Sequence, residues 1–348
     1  MTRSTSKITR RAVLRSVAAT AVGATSLTLP RHATAQTLPT AGLCSFPGPS
    51  ISAHPMAIVK ARNLDTANGW NLNWEIRTTL AAWVNDFYTG AYEGLHFSGA
   101  NYLATAYNKG TPIQLVGASA SYPWPVLART DRGIESIRDL KGKKLGIPKS
   151  SYIYAYMYAA FKQAGMNLET DAKVENLDVL QAPHLLERGD YDAATILVEQ
   201  SIMLEKDAPG RFKVLFYPHI EVAKVLGRPV MYQFLVMRRP WLEANKGAAD
   251  AILRTFTQVQ RFLDEDISGA AAILGPKTEV SNARGSGGAA LPEFVVKRMY
   301  QEGFFGGKMR WYGIPARELK TEIWKELQLY KEAGLIEQIP DEKFVFGL

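Results

Sequence analysis

Residues 134–148 read Ile-Glu-Ser-Ile-Arg-Asp-Leu-Lys-Gly-Lys-Lys-Leu-Gly-Ile-Pro, and this run is the most informative part of the sequence. Its last part, residues 144–147, predicts a short β-strand. Beyond Pro148, Ser150 and Ser151 precede a long helical pattern over residues 152–164, and either serine can cap that helix. The stretch therefore begins a strand–loop–helix unit.

The same alternation continues in both directions along the chain. We predict further strands at residues 41–46, 73–78, 95–98, 113–118, 126–129, 193–197, 213–216 and 231–236. Helices are predicted between them at residues 55–62, 80–88, 102–108, 182–188 and 201–206. Strands separated by helices of this length imply crossover units and mainly parallel sheets covered on both faces. After residue 236 the pattern is mostly helical, with helices predicted at 241–262, 292–301 and 317–333 and a flexible loop at 281–290.

Length and charge narrow the class of protein. The 348 residues are enough for two lobes or two domains. The formal net charge of +8 first suggests a nucleic-acid binder, but six of the 41 basic residues and none of the 33 acidic ones lie in residues 1–35. The rest of the chain therefore carries a net charge of only +2. A nearly neutral body lacks the electrostatic footprint for phosphate backbones, so we expect no nucleic-acid partner.

Residues 1–35 have the composition of a signal peptide. A basic start contains Arg10-Arg11, a mildly apolar stretch follows over residues 17–29, and Ala33-Thr34-Ala35 fits a small-x-small cleavage site. The arginine pair resembles a twin-arginine signal, although Val13 stands where Phe is commoner. No later stretch reaches the roughly 20 apolar residues of a spanning helix. We therefore expect export, by the twin-arginine or the general secretory route, and a soluble mature protein in the periplasm.

Cysteine and histidine usage predicts neither a disulfide nor a metal site. Cys44 is the only cysteine, so it cannot form an internal disulfide, and we expect a buried thiol on a strand. Leu43 precedes it where a lipoprotein signal would have a small residue, which argues against a lipid anchor. The histidines are scattered, and no pair has the spacing of a metal site. We expect no metal and no cofactor.

Four segments, at residues 55–60, 91–99, 134–148 and 186–193, together resemble a known family. They are similar to the periplasmic solute-binding proteins for nitrate, sulphonates, taurine and thiamine-precursor pyrimidines, which serve ABC importers. The run at 134–148 follows that family's pattern I-x-x-x-x-D-L-K-G-K-x-[VIL]-x-[VI]-P, whereas Glu93 and His96 depart from the usual residues of the second segment. The resemblance covers most of residues 41–270.

The resemblance implies an α/β protein with the type II periplasmic-binding fold, in which two lobes are joined by a two-strand hinge. Lobe one would comprise residues 37–127 and 237–348, and lobe two residues 128–236. The hinge strands would lie near residues 126–129 and 231–236. The implied function is that of an extracytoplasmic receptor, which closes around a small molecule and delivers it to an ABC permease in the inner membrane. We expect a monomer.

The strand pattern also locates a candidate binding site. Ligands of open α/β sheets lie beyond the carboxyl ends of the strands, where loops lead into helix N-termini. That rule selects five loops, at residues 47–54, 99–101, 119–124, 149–152 and 198–201. The candidate ligand-binding residues in them are Ser50, Ser52, His54, Asn101, Ser121, Tyr122, Trp124, Ser150, Ser151, Tyr152 and Glu199.

Each candidate also has a structural interpretation. The serines at 150 and 151 and Asn101 are as well suited to capping a helix as to holding a ligand. Glu199 fits a carboxylate that interacts with a helix dipole as well as an acceptor for ligand N–H or O–H groups. The three aromatic candidates can cover the hinge, but their presence together in cleft loops favours a planar aromatic or heterocyclic ligand.

The motifs favour a binding protein over an enzyme. The sequence contains no G-x-S-x-G elbow, no G-x-x-x-x-G-K-[ST] loop and no H-E-x-x-H motif. Two alternatives stay open: an enzyme on the same fold, similar to aromatic-acid decarboxylases or pyrimidine-synthesis enzymes, and a ligand sensor for a membrane kinase. Sulphonates, nitrate, pyrimidines and aromatic carboxylates all remain candidate ligands, and aromatic loop residues beside a helix N-terminus favour a planar acid.

Overall fold

Two mixed β-sheets form the framework of the protein. The computed structural model describes residues 37–45, 50–77, 79–121, 124–149, 151–227, 231–275, 291–303 and 310–348. The strands are β1 Thr40–Ser45, β2 Asn71–Ile76, β3 Gly94–Ser98, β4 Ile113–Ser121, β5 Val126–Arg129, β6 Lys144–Ile147, β7 Lys173–Asn176, β8 Ala193–Thr195, β9 Phe212–Phe216, β10 Met231–Arg238 and β11 Arg310–Pro315.

Helices cover both sheets. They are α1 His54–Arg62, α2 Leu64–Ala67, α3 Leu80–Thr89, α4 Ala100–Asn108, α5 Tyr152–Gln163, α6 Leu168–Asp171, α7 Ala182–Arg188, α8 Val198–Asp207, α9 Pro218–Glu221, α10 Ala223–Leu226, α11 Arg239–Ala244, α12 Ala248–Glu265, α13 Ile267–Leu274, α14 Glu293–Lys297 and α15 Lys320–Glu332. A 3₁₀ turn at Ile51–Ala53 leads directly into α1, and a π turn at Arg298–Glu302 continues α14. None of the helices in the described ranges is long and apolar enough to cross a membrane.

The chain passes from one sheet to the other and back. The first sheet has the strand order β11-β4-β10-β3-β1-β2, and the second has the order β7-β6-β8-β5-β9. The chain leaves the first sheet after β4 and returns to it at β10, so the strands of the second sheet all lie between these two in sequence. The strands β4 and β10 are antiparallel neighbours, with Ile113 opposite Arg238 and Ser121 opposite Met231.

The expectation of mainly parallel sheets is wrong. β1 is parallel to β2 and β3, and β6 is parallel to β7 and β8. The pairings of β5, β10 and β11 are antiparallel. The reason is that the chain crosses between the sheets twice. The strand β5 follows the crossing into the second sheet, and β10 follows the crossing back into the first. Each of these two strands is antiparallel to the strands beside it.

Every strand predicted from the sequence is present, with ends that shift by a few residues. The strands β7 and β11 were not predicted. The single helix predicted at residues 241–262 is instead two helices, α11 and α12, because Gly247 between them has a φ of 83°, in the left-handed region. Cys44 is buried in β1 as predicted, and burial raises the pKa of its thiol to about 12.

Two further groups of predictions concern the signal peptide and the flexible loop, and the limits of the two lobes. The signal peptide at residues 1–35 and the loop at 281–290 lie outside the described residues. Leu38–Leu348 form one compact unit, so the lobe limits given above remain a prediction. The division of the strands between the two sheets falls between β4 and β5 and between β9 and β10.

The helix α12 provides much of the core behind the first sheet. Ile252, Phe256 and Val259 recur at helical spacing and are buried, which gives the helix one apolar face. The ring of Phe256 lies 4.7 Å, centroid to centroid, from that of His96 on β3. The helix also passes β11 closely, because a Cβ at Gly313 would overlap the backbone of Leu253.

The helix α15 connects the two halves of the molecule. It packs against α4, beside the first sheet, and against α5, beside the second. On its buried face Glu326 accepts hydrogen bonds from the hydroxyl of Tyr330 and, at 3.2 Å, from that of Tyr156 on α5. The elements around the two sheets are thus held together by contacts outside the connecting strands.

Replacing Phe256 by Ala tests this account of the core. We expect the free energy of unfolding to fall by about 3–5 kcal/mol, because a fully buried aromatic ring is lost and leaves a cavity. Arg254→Ala, on the exposed side of the same helix, is the matched control and should change it by less than about 0.5 kcal/mol. Equal effects of the two substitutions in urea unfolding would contradict the assigned face of α12.

Candidate functional site

A cavity of about 300 Å³ lies between elements of the two sheets. This volume is at the lower end of the range of small-molecule sites, roughly 300–1,000 Å³. From the first sheet's side its lining residues are Ser50, Ile51, Ser52, Thr79, Trp83, Gly99 and Tyr102. Trp124 comes from the connection between β4 and β5, and the second sheet's side contributes Pro148, Ser151, Tyr152, Asn176, Leu177, Asp178, Val179, Leu180 and Leu197.

Five of the lining residues are N-cap residues of helical segments. Ser50 precedes the turn into α1, Thr79 precedes α3, Gly99 precedes α4, Ser151 precedes α5 and Leu197 precedes α8. Several of these helices follow a strand directly, and in an open α/β sheet the strand ends and the helix starts share an edge. The positive ends of five helix dipoles therefore meet at one cavity.

The five N-cap residues differ in whether their side chains accept hydrogen bonds from backbone N–H groups of the first helical turn. The Thr79 hydroxyl accepts a hydrogen bond from the Ala82 N–H at 3.1 Å, and the Ser151 hydroxyl accepts a longer one from the Ile153 N–H at 3.4 Å. Ser151 therefore caps α5 and lines the cavity at once. The N-cap residues of α4 and α8 make no side-chain cap hydrogen bond in the described part of the chain, and the Glu199 N–H in α8 lies near its own carboxyl group. Helix N-termini without a side-chain cap leave first-turn N–H donors that a ligand can use.

Tyr152 joins the two sides of the cavity. A Cβ at Gly99 would overlap its ring, so the tyrosine packs directly on the backbone at the start of α4. Its hydroxyl accepts a hydrogen bond from the Trp124 indole N–H at 2.6 Å and interacts with the amide of Gln233 on β10. Burial raises the Tyr152 pKa far above its ordinary value, so the hydroxyl stays protonated. One side chain thus contacts the first sheet's side, the connection after β4 and the returning strand.

Trp124 lies at the point where the chain passes between the sheets. Its φ of 75° is in the left-handed region, which a bulky aromatic residue rarely adopts. The side chain is only 8% exposed, and its ring lies edge-on to that of Tyr152 at 6.0 Å. Backbone strain of this kind persists only where the surroundings impose it, and it concentrates at functional sites.

The walls are apolar and aromatic, with little side-chain charge. Of the lining residues that the structure describes, none is Lys, Arg or His, and Asp178 is the only carboxylate. Asp178 is exposed, and its Oδ1 accepts the Leu180 N–H at 3.0 Å. Among the described lining residues, the groups suited to stabilising a negative charge are therefore backbone N–H groups at the helix N-termini and not cationic side chains.

Three predicted site residues lie behind the cavity wall. His54 is buried, with its Nδ1 2.7 Å from the Tyr300 hydroxyl, and Asn101 is buried in the first turn of α4. Glu199, in the first turn of α8, is fully buried. Its pKa is raised to about 7 by burial, and the backbone N–H groups of Glu199 and Ile51 oppose this rise.

The remaining predicted residues fall into two groups. Ser50, Ser52, Trp124, Ser151 and Tyr152 line the cavity. Tyr122 and Ser150 lie outside the described residues, as does the side chain of Ser121. That the lining residues bind a ligand stays a prediction.

Sequence reasoning missed part of the lining. Thr79 and Trp83 follow directly after a predicted strand, so the rule that selected the five loops could have found them. The segment from Asn176 to Leu180 was missed because β7 was not predicted. That strand has only four residues, and three of them are exposed.

The fold is that of the periplasmic binding proteins. The structure is similar to the alkanesulfonate-binding protein SsuA of Xanthomonas axonopodis pv. citri bound to MOPS, with a TM-score of 0.66 and 17% identity over 88% of this chain and 96% of that one. It is similar to the aliphatic sulphonate-binding protein SsuA of Escherichia coli, with a TM-score of 0.65 and 18% identity over 87% and 90% of the chains. For the nitrate-binding protein NrtA of Synechocystis PCC 6803 the TM-score is 0.64, with 14% identity over 86% and 83%.

The family model described as NMT1/THI5 like matches residues 93–258, just under half of the chain. The match and the structural neighbours confirm the resemblance to the solute-binding proteins of the nitrate, sulphonate and taurine type. No curated protein matches the chain at a significant level.

Replacing Gly99 by Ala tests the contact with Tyr152. We expect the substitution to lower the free energy of unfolding by about 1–3 kcal/mol, because the new methyl group would overlap the tyrosine ring. In a Tyr152→Ala background the same change should cost less than about 1 kcal/mol. Additive effects in the double-mutant cycle, measured by chemical denaturation, would contradict the contact.

Proposed function

We propose that this protein is a periplasmic solute-binding receptor of an ABC importer, which captures a small anion with a planar aromatic or heterocyclic body. The observation that carries the proposal is the meeting of five helix N-termini at a cavity whose described lining has no cationic side chain. Such a cavity holds an anion by backbone N–H groups and dipoles.

The walls support the aromatic part of the ligand. Trp83, Tyr102, Trp124 and Tyr152 supply four aromatic side chains around a volume of about 300 Å³. Aromatic and aliphatic walls with a few placed polar groups are typical of small-molecule sites, and stacking favours a flat partner. An aromatic sulphonate or carboxylate combines that flat body with a charge for the helix N-termini.

The likeness to binding proteins supports transport over catalysis. The neighbours named above are binding proteins for sulphonates or nitrate, two of them periplasmic by name, and residues 1–35 have the composition of an export signal. Closure of the two halves around the ligand would create the surface that a permease recognises. No covalent step is part of this function, so bound ligand should be recovered unchanged.

Comparing a charged ligand with its neutral analogue tests the proposal directly. We expect benzenesulfonate to bind with a Kd in the micromolar range, about −8 kcal/mol. Benzenesulfonamide, which has the same shape without the charge, should bind at least about tenfold more weakly, because hydrogen bonds to a charged group are the stronger ones. Isothermal titration of both compounds provides the measurement.

Two tyrosines on α4 provide a matched pair of variants for the same titration. Tyr102 lines the cavity, whereas the Tyr107 hydroxyl bonds to Asp341 at 2.6 Å away from it. Tyr102→Ala should weaken benzenesulfonate binding at least about tenfold, a loss of about 1.4 kcal/mol, and Tyr107→Ala should leave it unchanged. Equal affinity for the sulphonate and the sulphonamide, or consumption of the ligand by the protein, would contradict the proposed function.

A further inference from the structure

Glu199 is a buried acid at the junction of the two halves of the molecule. It lies in the first turn of α8, on the second sheet's side, and is 0% exposed. The backbone N–H of Ile51, on the first sheet's side, lies close enough to lower its pKa. Leu197 and Ile51, both next to it, line the cavity. Glu199 therefore lies directly behind the wall at a place where both sides contribute.

The carboxyl group lacks the partners that normally accompany a buried charge. Neither of its oxygens completes a hydrogen bond of normal geometry with a described residue, although the N–H groups of Ile51 and of Glu199 itself lie near it. Removing a carboxylate from water without a cation or full hydrogen bonds is strongly unfavourable, so the group takes up a proton instead.

Among the residues that the structure describes, the charged groups on the surrounding elements do not supply that missing cation. Several titratable residues lie on α8 and on the elements that pack against it. Besides Glu199, α8 carries Glu205, Lys206 and Asp207. The neighbouring elements contribute His184, Glu187 and Arg188 on α7, Lys213 on β9, Glu293 and Lys297 on α14, Arg298, Tyr300 and Glu302 on its π turn, and His54 and His96 beside Ile51–Ala53. Lys213 pairs with Glu135, Lys297 with Glu293 and Arg298 with Glu302. The Glu199 pKa is set by burial and by the two backbone N–H groups, and by none of these charges.

A ligand anion adds a second reason for protonation. The proposed anion occupies the cavity directly in front of Leu197 and Ile51, so a charged Glu199 would face a second negative charge across a dry wall. We infer that capture of the anion is coupled to the uptake of one proton by the Glu199 carboxylate as the two sides close. This inference rests on the proposed function, and it identifies Glu199 as the residue that sets the pH dependence of affinity.

The direction of the effect follows from the two states of the carboxyl group. In the structure burial raises its pKa from 4.5 to about 7, whereas a hydrated Glu199 in a more open form would titrate near the lower value. Below the lower value the group is protonated in both forms, and affinity is highest. Between about pH 4.5 and pH 7 only the form with buried Glu199 holds the proton, so the affinity for the anion falls as the pH rises. Above about pH 7 the carboxyl group is ionised in both forms, and the affinity no longer changes.

Titration with benzenesulfonate at pH 5, 6, 7 and 8 tests the coupling, because this probe stays fully ionised over the whole range. We expect the affinity of the wild-type protein to fall at least about tenfold from pH 5 to pH 8. Repeating the pH 6 titration in two buffers of different ionisation enthalpy should reveal proton uptake. Glu199→Gln should bind with an affinity that no longer depends on pH, and Glu205→Gln, an exposed acid on the same helix, should keep the wild-type profile.

The outcomes separate this inference from the proposed function. If benzenesulfonate binds but all three proteins show the same pH profile, the inference is overturned and the proposed function stands. If benzenesulfonate does not bind, the proposed ligand class fails, and thermal unfolding of the ligand-free proteins then tests the premise of the inference, the raised pKa of Glu199 in the folded state. The unfolding temperature of Glu199→Gln should then exceed that of the wild type at pH 8 but not at pH 5, and a difference that does not change with pH overturns it.

Discussion

Five chain segments begin a helix around the same cavity, and this convergence is the constraint on which the rest of the structure depends. It follows from topology, because helices start where strands end and the two sheets present such edges to each other. Helix N-termini favour negative charge through backbone N–H groups, which a side-chain substitution does not remove. This arrangement also leaves the side chains of the lining free to be apolar, and the described lining is largely aromatic and aliphatic.

The residues that form the cavity also connect the two halves. Tyr152 packs on Gly99, bonds to Trp124 and approaches Gln233, so it contacts both sides and both connections between the sheets. Behind the opposite part of the wall, Glu199 approaches the backbone of Ile51. A ligand in the cavity would therefore contact residues that belong to both halves.

The sequence predicted the strands well because their periodicity and length are local properties. It failed where tertiary structure decides. The strand β7 is short and exposed, and its pairing with β6 defines it more than its own residues do. The break before α12 depends on the left-handed conformation of Gly247, whose presence in a long helical pattern is not by itself a stop signal.

The candidate site was predicted in part for a related reason. The rule that ligands lie beyond strand ends located Ser50, Ser52, Trp124, Ser151 and Tyr152 at the cavity, because it uses only the order of elements. It cannot tell which residue of a helix's first turn faces the cavity. Glu199 and Asn101 satisfy the rule, yet both lie behind the wall, since the rotation of a helix about its axis is set by the core that it packs against.

A crystal structure of the protein with benzenesulfonate would reveal which groups hold the anion. We expect the sulphonate oxygens to accept hydrogen bonds from backbone N–H groups in the first turns of α4 and α8, with the ring among the aromatic side chains of the cavity. A ligand bound elsewhere, or a sulphonate held by lysine or arginine side chains, would contradict this expectation.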